Sequence, residues 1–405
     1  MIRRLRLASR NAVIAVATAL ALGACSPAYA VKKPKADGPP EITHAPTGTT
    51  EIGTLGGVPY RIDIPAKWNH GLVVFFHGYS EGMYSYKVTT PLNEQTGPVF
   101  ERNYAVIQSA YSQPGWALEQ AYPETEALRD YFIKKYGQLD GAKPGKNGKN
   151  IEMVVVGGSM GGALVTASLE LDAKSYVGGL DLCGSVGPTL VAFERRFAWR
   201  AAFDFYFPGV MPPLVPAPVD FVETPALRQK ADAAMKANPT GSAAMRNLTG
   251  LHTDREVARD VVYFTFVLAD MAKRAGGNPF DNRNYLYVGT TPGISATDNA
   301  LNDGVKRYAA DPKARPYLVR HYTPSGRLTK PMLALHTTYD PLIPTNTLAL
   351  YADMVEIAGY GDNIVQQYVH REGHCTFTRD EVGRSFDELM NWVHTGKRPQ
   401  PGLLK

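Results

Sequence analysis

Two short alternating runs, residues 49–54 and 58–64, flank the Gly56-Gly57 pair and predict an antiparallel hairpin at a sheet edge. Beyond residue 70 the rhythm changes. Residues 72–76, 104–108 and 151–156 are continuous apolar runs rich in β-branched side chains, which suits strands buried on both faces of a parallel sheet. Residues 176–182, 332–335 and 364–369 add three more. Helical patterns fall between them. One spans 123–136, with Pro123 at its start and Glu124 and Glu126 in its first turn. Others cover 160–171, 345–358 and 379–393, the last closed by Thr395-Gly396. Residues 140–150 read as a Gly/Lys/Asn loop. Strand alternating with helix implies right-handed crossovers and a mostly parallel sheet flanked by helices, an α/β fold.

One segment breaks this alternation. Residues 187–327 are too many for a loop without structure of its own. Phe193, Phe197, Trp199, Phe203, Phe205, Tyr206 and Phe207 crowd its start, 208–218 is Pro-rich, and 254–274 looks helical. We expect a large, mostly helical cap inserted over the carboxyl edge of the sheet. The core then comes in two parts, 49–186 and 328–398, with a C-terminal tail at 399–405. The aromatics either offer an apolar pocket to a substrate or hold the cap to the sheet.

The first thirty residues read as a signal peptide: Arg3, Arg4, Arg6 and Arg10 precede an apolar stretch too short to anchor in a bilayer. Two cleavage readings stand. Leu22-Gly23-Ala24-Cys25 resembles a lipobox and would leave a lipidated Cys25. Ala28-Tyr29-Ala30 resembles an ordinary signal-peptidase site. Either way we expect export to the periplasm or beyond, soluble or lipid-anchored. Residues 31–48 then form a disordered tether. Removing four arginines from a formal charge of +5 leaves +1, so nothing argues for nucleic acid. Of three cysteines, Cys183 and Cys375 remain beside Cys25. In an oxidising compartment they are a candidate disulfide, the alternative being two separate thiols.

Gly157-Gly158-Ser159-Met160-Gly161 matches G-x-S-x-G, and it joins an expected buried strand to an expected helix. A serine on such a turn adopts a strained backbone, and small neighbours two positions away let strand and helix approach. A plain helix-capping serine is the alternative. Over residues 50–398 the chain resembles the α/β-hydrolase superfamily, and Gly157 to Gly162 resemble the elbow of prolyl-oligopeptidase-like hydrolases. The resemblance implies a base from the loop after the last strand. His374, in Glu372-Gly373-His374-Cys375, stands there; His370 is its rival. It also implies an acid, Asp340, in Thr338-Tyr339-Asp340-Pro341, with Leu342-Ile343-Pro344 matching the turn that follows. Asp181, inside a strand, is the rival acid. His77-Gly78-Tyr79-Ser80 resembles the loop that supplies one oxyanion donor, so the donors would be the N–H groups of Tyr79 and Met160. Tyr79 departs from the H-G-G-G form. Feruloyl esterases and tannases also carry a cysteine directly after the base, bridged to one before the serine. Here Gly158 holds that second place, so half of the pattern is present.

Such a site implies acyl transfer to water through an acyl-enzyme, by default on a small carboxylic ester. The first alternative is a prolyl-oligopeptidase-like peptidase, although the chain has no room for a β-propeller before its core. The second is a non-catalytic hydrolase-fold binding module, a class that usually lacks one triad member. No metal-ligand spacing or dinucleotide loop stands out, and no cofactor is expected.

Overall fold

The computed structural model describes residues 38–137, 151–218, 220–291 and 296–405. The expected signal peptide, Cys25 and the 140–150 loop lie outside the described residues.

Each continuous apolar run becomes a strand of one sheet: β4 (Gly71–Phe76), β5 (Ala105–Ser109), β6 (Glu152–Gly158), β7 (Gly178–Leu182), β8 (Met332–Tyr339) and β9 (Ile364–Glu372). Ahead of them come β1 (Glu41–Ala45), β2 (Gly48–Leu55) and β3 (Val58–Pro65), and after them β10 (Gly402–Leu403). The order across the sheet is β1-β2-β3-β5-β4-β6-β7-β8-β9-β10. Pairing is antiparallel from β1 to β5 and parallel from β5 onward. Every residue of β4, β5 and β7 is buried, because helices cover both faces there. Val73, Val154, Leu180 and Leu333 pack side by side under Phe386 and Leu389 of the final helix α11 (Arg379–Thr395). Burying each such side chain contributes about 1.5–3 kcal/mol.

Four features depart from the sequence pattern. Glu41–Ala45, within the stretch read as a tether, pairs with β2 although all five residues are exposed. The unpaired backbone of the β2 edge is the template, so side-chain pattern carried no signal. Gly402–Leu403, in the expected tail, likewise adds to β9. Helix α2 (Leu118–Tyr136) begins five residues early and holds Pro123 inside it. Burial of Leu118, Ala121 and Tyr122 outweighs the hydrogen bond that proline cannot make. Finally, β8 and β9 overrun their apolar runs, with a register shift between Thr337 and Tyr339. That overrun lifts the residues after both strands above the rim of the sheet.

Between β7 and β8 lie six helices and, among the described residues, no strand: α4 (Thr189–Tyr206), α5 (Pro225–Ala237), α6 (Pro239–Thr249), α7 (Asp254–Ala275), α8 (Ala296–Gly304) and α9 (Tyr317–Arg320). Thr253 and Glu256 form a reciprocal capping box that starts α7. Phe193 of α4 packs edge-on against Trp116 of the core at 4.6 Å, and Phe197 stacks on Phe280 at 5.2 Å. Phe193 thus holds the cap to the core, while Phe197, Phe203, Phe205, Tyr206 and Phe207 pair with rings of the cap itself. A buried ion pair, Arg196 to Asp260, ties α4 to α7. The Arg196 guanidinium also lies over the Phe264 ring at 4.1 Å and donates to the Leu342 carbonyl at 2.6 Å.

Candidate active site

Ser159 follows β6 and caps α3 (Met160–Leu171) with φ 57° and ψ −121°. That conformation costs a non-glycine residue roughly 1–3 kcal/mol and persists only where the surroundings fix it. Three backbone hydrogen bonds do so. The Ser159 N–H donates to Leu182 at 3.1 Å, and the Ser159 carbonyl accepts from Gly162 at 3.0 Å and Ser185 at 2.9 Å. The turn is also too tight for side chains: a Cβ on Gly161 would sit 2.2 Å from the Phe76 carbonyl oxygen, and one on Gly157 2.4 Å from that of Gly161.

The other two residues arrive on the loops beyond β8 and β9. His374 Nε2 lies 2.8 Å from Ser159 Oγ, and His374 Nδ1 lies 2.7 Å from Asp340 Oδ2. The Asp340 side chain is fully buried and that of His374 is 20% exposed. Asp340 Oδ1 also accepts from the N–H groups of Leu342 and Ile343, at 2.8 and 2.9 Å. Burial alone would raise the Asp340 carboxyl, but the hydrogen bond and charge of His374 and the Ile343 N–H hold it below its usual value. A hydroxyl so placed can pass its proton to imidazole as it attacks an acyl carbon, while the carboxylate stabilises the cation formed.

The rivals stand elsewhere. His370 is exposed and stacks on Tyr368. Asp181 is wholly buried on the far side of the elbow, where a Cβ on Gly162 would come within 2.2 Å of its Oδ1. Desolvation pushes its pKa up to about 8, so it is neutral at pH 7 and makes no contact with His374. His77 is sandwiched between Tyr84 and Tyr111, at 4.3 and 3.8 Å, and its Nδ1–H donates to Gly78 at 2.7 Å. Burial lowers its pKa to about 4, so the ring is a neutral prop for its loop.

Gly78 lies against the serine: a Cβ there would be 3.0 Å from Ser159 Cβ and 3.5 Å from Oγ. Tyr79 follows it, with its ring edge-on to Tyr263 and Phe266 of α7. Met160 is the first residue of α3, so its N–H has no intrahelical acceptor.

Cys183 and Cys375 are bridged, with Cα atoms 5.4 Å apart. Although β8 runs between their parent strands, the loop after β9 folds back over it: the Gly373 N–H donates to the Tyr339 carbonyl, and the Thr337 hydroxyl to that of Gly373. Both half-cystines have positive φ, 54° and 53°. Because their sulfurs bond each other, the Cys183–His374–Cys375 cluster offers no thiolate to a metal.

Two participants carry no signal in the sequence. His336 Nε2 donates to the Ile343 carbonyl at 2.9 Å and lies 3.6 Å from Asp340 Oδ2. Arg196 reaches in from the cap to the same turn through Leu342. Arg196 acts through a contact between distant segments, whereas His336 stands four residues before Asp340 and meets the turn only because that turn folds back onto the strand end.

A cleft of about 520 Å³ opens at His374, between the cap residues Arg228, Arg259 and Tyr263 and the core residues Tyr339 and Leu342. None of the seven aromatics at the start of the cap lines it.

The chain is similar in fold to feruloyl esterase B from Aspergillus oryzae, with 10% identity, TM-score 0.47, and 91% of this chain and 89% of that one covered. An esterase of Pyrococcus furiosus, Pf2001, gives 10%, 0.40, 87% and 90%. A puromycin hydrolase gives 16%, 0.40, 92% and 41%. No curated protein sequence matches. The Alpha/beta hydrolase family does match, over residues 73–381, which takes in β4, the serine elbow, the cap and the loops after β8 and β9. This protein therefore belongs to the alpha/beta hydrolase family.

Proposed function

We propose that the protein is an exported serine hydrolase that cleaves carboxylic esters through an acyl-enzyme on Ser159. The observation that carries this reading is the unbroken relay from Ser159 Oγ to His374 to Asp340, at 2.8 and 2.7 Å. His374 takes the serine proton as Oγ attacks the ester carbonyl. The oxyanion of the tetrahedral intermediate is held by the N–H groups of Met160 and Tyr79. His374 then protonates the leaving alkoxide, and the acyl group stays on Ser159. A water molecule, deprotonated by the same imidazole, attacks the acyl-enzyme, and the acid departs as Oγ recovers its proton. Asp340 holds the imidazole with Nδ1 protonated, so that Nε2 faces the serine. Each oxyanion donor supplies on the order of 3 kcal/mol. The Cys183–Cys375 bridge suits an oxidising compartment, which supports export from the leader at residues 1–30, with Cys25 as the lipid-bearing residue if the lipobox is used.

The test is a panel of p-nitrophenyl esters of increasing acyl length beside aminoacyl and prolyl p-nitroanilides. Ester turnover without anilide turnover, reduced about 10⁴-fold or more in Ser159→Ala, is the expected result. Turnover of anilides alone would favour the peptidase reading. Undiminished ester turnover in Ser159→Ala would remove Ser159 from the chemistry.

A further inference from the structure

The ester-hydrolase reading leaves the substrate open, and the charges around the cleft narrow it. Arg228 and Arg259 line the cleft at His374 and also a wider neighbouring cleft of about 840 Å³ under α5 and the start of α7. The two clefts therefore meet at these side chains. Most lining charges are already spoken for. Arg228 pairs with Glu223, Lys236 with Asp232, Arg246 with Asp254, and Asp260 with the buried Arg196. Glu256 accepts from the N–H groups of His252 and Thr253, closing the α7 terminus.

Arg255 and Arg259 are left over. One helical turn apart on α7, they are exposed to the clefts. Among the described residues neither has a carboxylate within ion-pair distance. Glu372 is the one lining acid in the same position. The groups with hydrogen-bonding capacity to spare are two guanidiniums and one carboxylate, although Glu256 also keeps a charge that no cation offsets; Arg259 is the guanidinium that shares a cleft with His374, and Arg255 lines only the outer one.

We infer that the substrate carries a carboxylate, held by Arg259 with Arg255 behind it, while its ester carbonyl lies at Ser159. A guanidinium fork matches a carboxylate with two parallel hydrogen bonds. Glu372 on the facing wall disfavours a dianion, so a singly charged carboxylate fits better than a phosphate monoester. The inference rests on the proposed ester hydrolysis and adds the substrate class to it.

Two pairs of esters test it, placing the charge on either side of the scissile bond. p-Nitrophenyl hydrogen adipate is compared with p-nitrophenyl hexanoate, and 4-carboxyphenyl acetate with phenyl acetate. In at least one pair the charged ester should have the higher kcat/KM, by about tenfold or more, the usual worth of a charge-assisted hydrogen bond. Arg259→Gln should bring that ratio close to one and Arg259→Lys should keep part of it. Lys174→Gln, which removes an exposed cation outside both clefts, should leave the ratio as it is. Molar salt should lower it in the unaltered protein. Turnover of the neutral esters with no charged preference in either pair would overturn this inference and leave ester hydrolysis standing. So would a preference that survives Arg259→Gln. Failure to turn over any ester would overturn both.

Discussion

Replacing Cys183 and Cys375 together by alanine tests how the base is held. The bridge joins residues 192 apart in sequence. Cross-linking a loop of that length removes about 5 kcal/mol of chain entropy from the unfolded state. Part is offset, because the two half-cystines hold left-handed backbone conformations, which cost at least about 1 kcal/mol each and can relax once the sulfurs part. The net loss is about 3–5 kcal/mol. A folded chain of this size has an unfolding entropy of about 0.8 kcal/mol/K, so the midpoint should fall by about 4–6 °C. Calorimetry of the double variant, and of the unaltered protein with and without reductant, measures this directly. Thiol titration of the unfolded unaltered protein should find neither cysteine. Activity should fall through kcat more than KM, because Cys375 directly follows His374 and the loop keeps only hydrogen bonds, to β8 and to Asp340, in place of a covalent tie. A midpoint unchanged to within about 1 °C, or two titratable thiols, would refute the reasoning.

Two further outcomes follow from buried charges. Asp181 has its pKa raised to about 8 from 3.8, so the folded state binds the proton more tightly than the unfolded chain. Stability is then lost as pH rises between those values, by about 1.4 kcal/mol per unit. Asp181→Asn should abolish that decline and be the more stable protein at pH 8, which urea melts across the range will show; parallel curves would count against it. Arg196→Leu leaves Asp260 buried without its partner and should cost about 3–5 kcal/mol, most of it recovered when Asp260→Leu is added. Equal destabilisation in single and double variants would mean that the loss comes from the Leu342 contact or from packing instead.

The sequence pointed to the candidate site where residues of distinctive type fall at element junctions. Ser159 was legible because a Gly-rich string lies between a buried run and a helix, and Asp340 and His374 because each follows an apolar run by a few residues. Asp181 could be set aside for the converse reason, its place inside a strand. What the sequence left open depends on contacts between distant segments. The seven aromatics after residue 192 would look the same as a pocket, as glue to the sheet or as the cap's own packing, and only their partners tell these apart: Trp116 of the core for Phe193, Phe280 of the cap for Phe197. His336 and Arg196 touch the acid's turn without any local pattern, and Arg259 reads as an ordinary exposed helix residue. Strands β1 and β10 escaped because an existing edge recruits backbone whatever the side chains are. Pro123 misled because a buried apolar turn can sit ahead of a proline.

The bridge has a topological consequence as well. The chain leaves the core after Cys183, builds the whole cap, returns through β8 and reaches Cys375. Everything that shapes the cleft from above therefore belongs to one covalent ring, closed beside the imidazole. A protease that nicks a cap loop opens the ring without severing the molecule, and the two pieces part only in reductant. Cleavage within the cap thus leaves Ser159 and His374 in one covalently joined molecule.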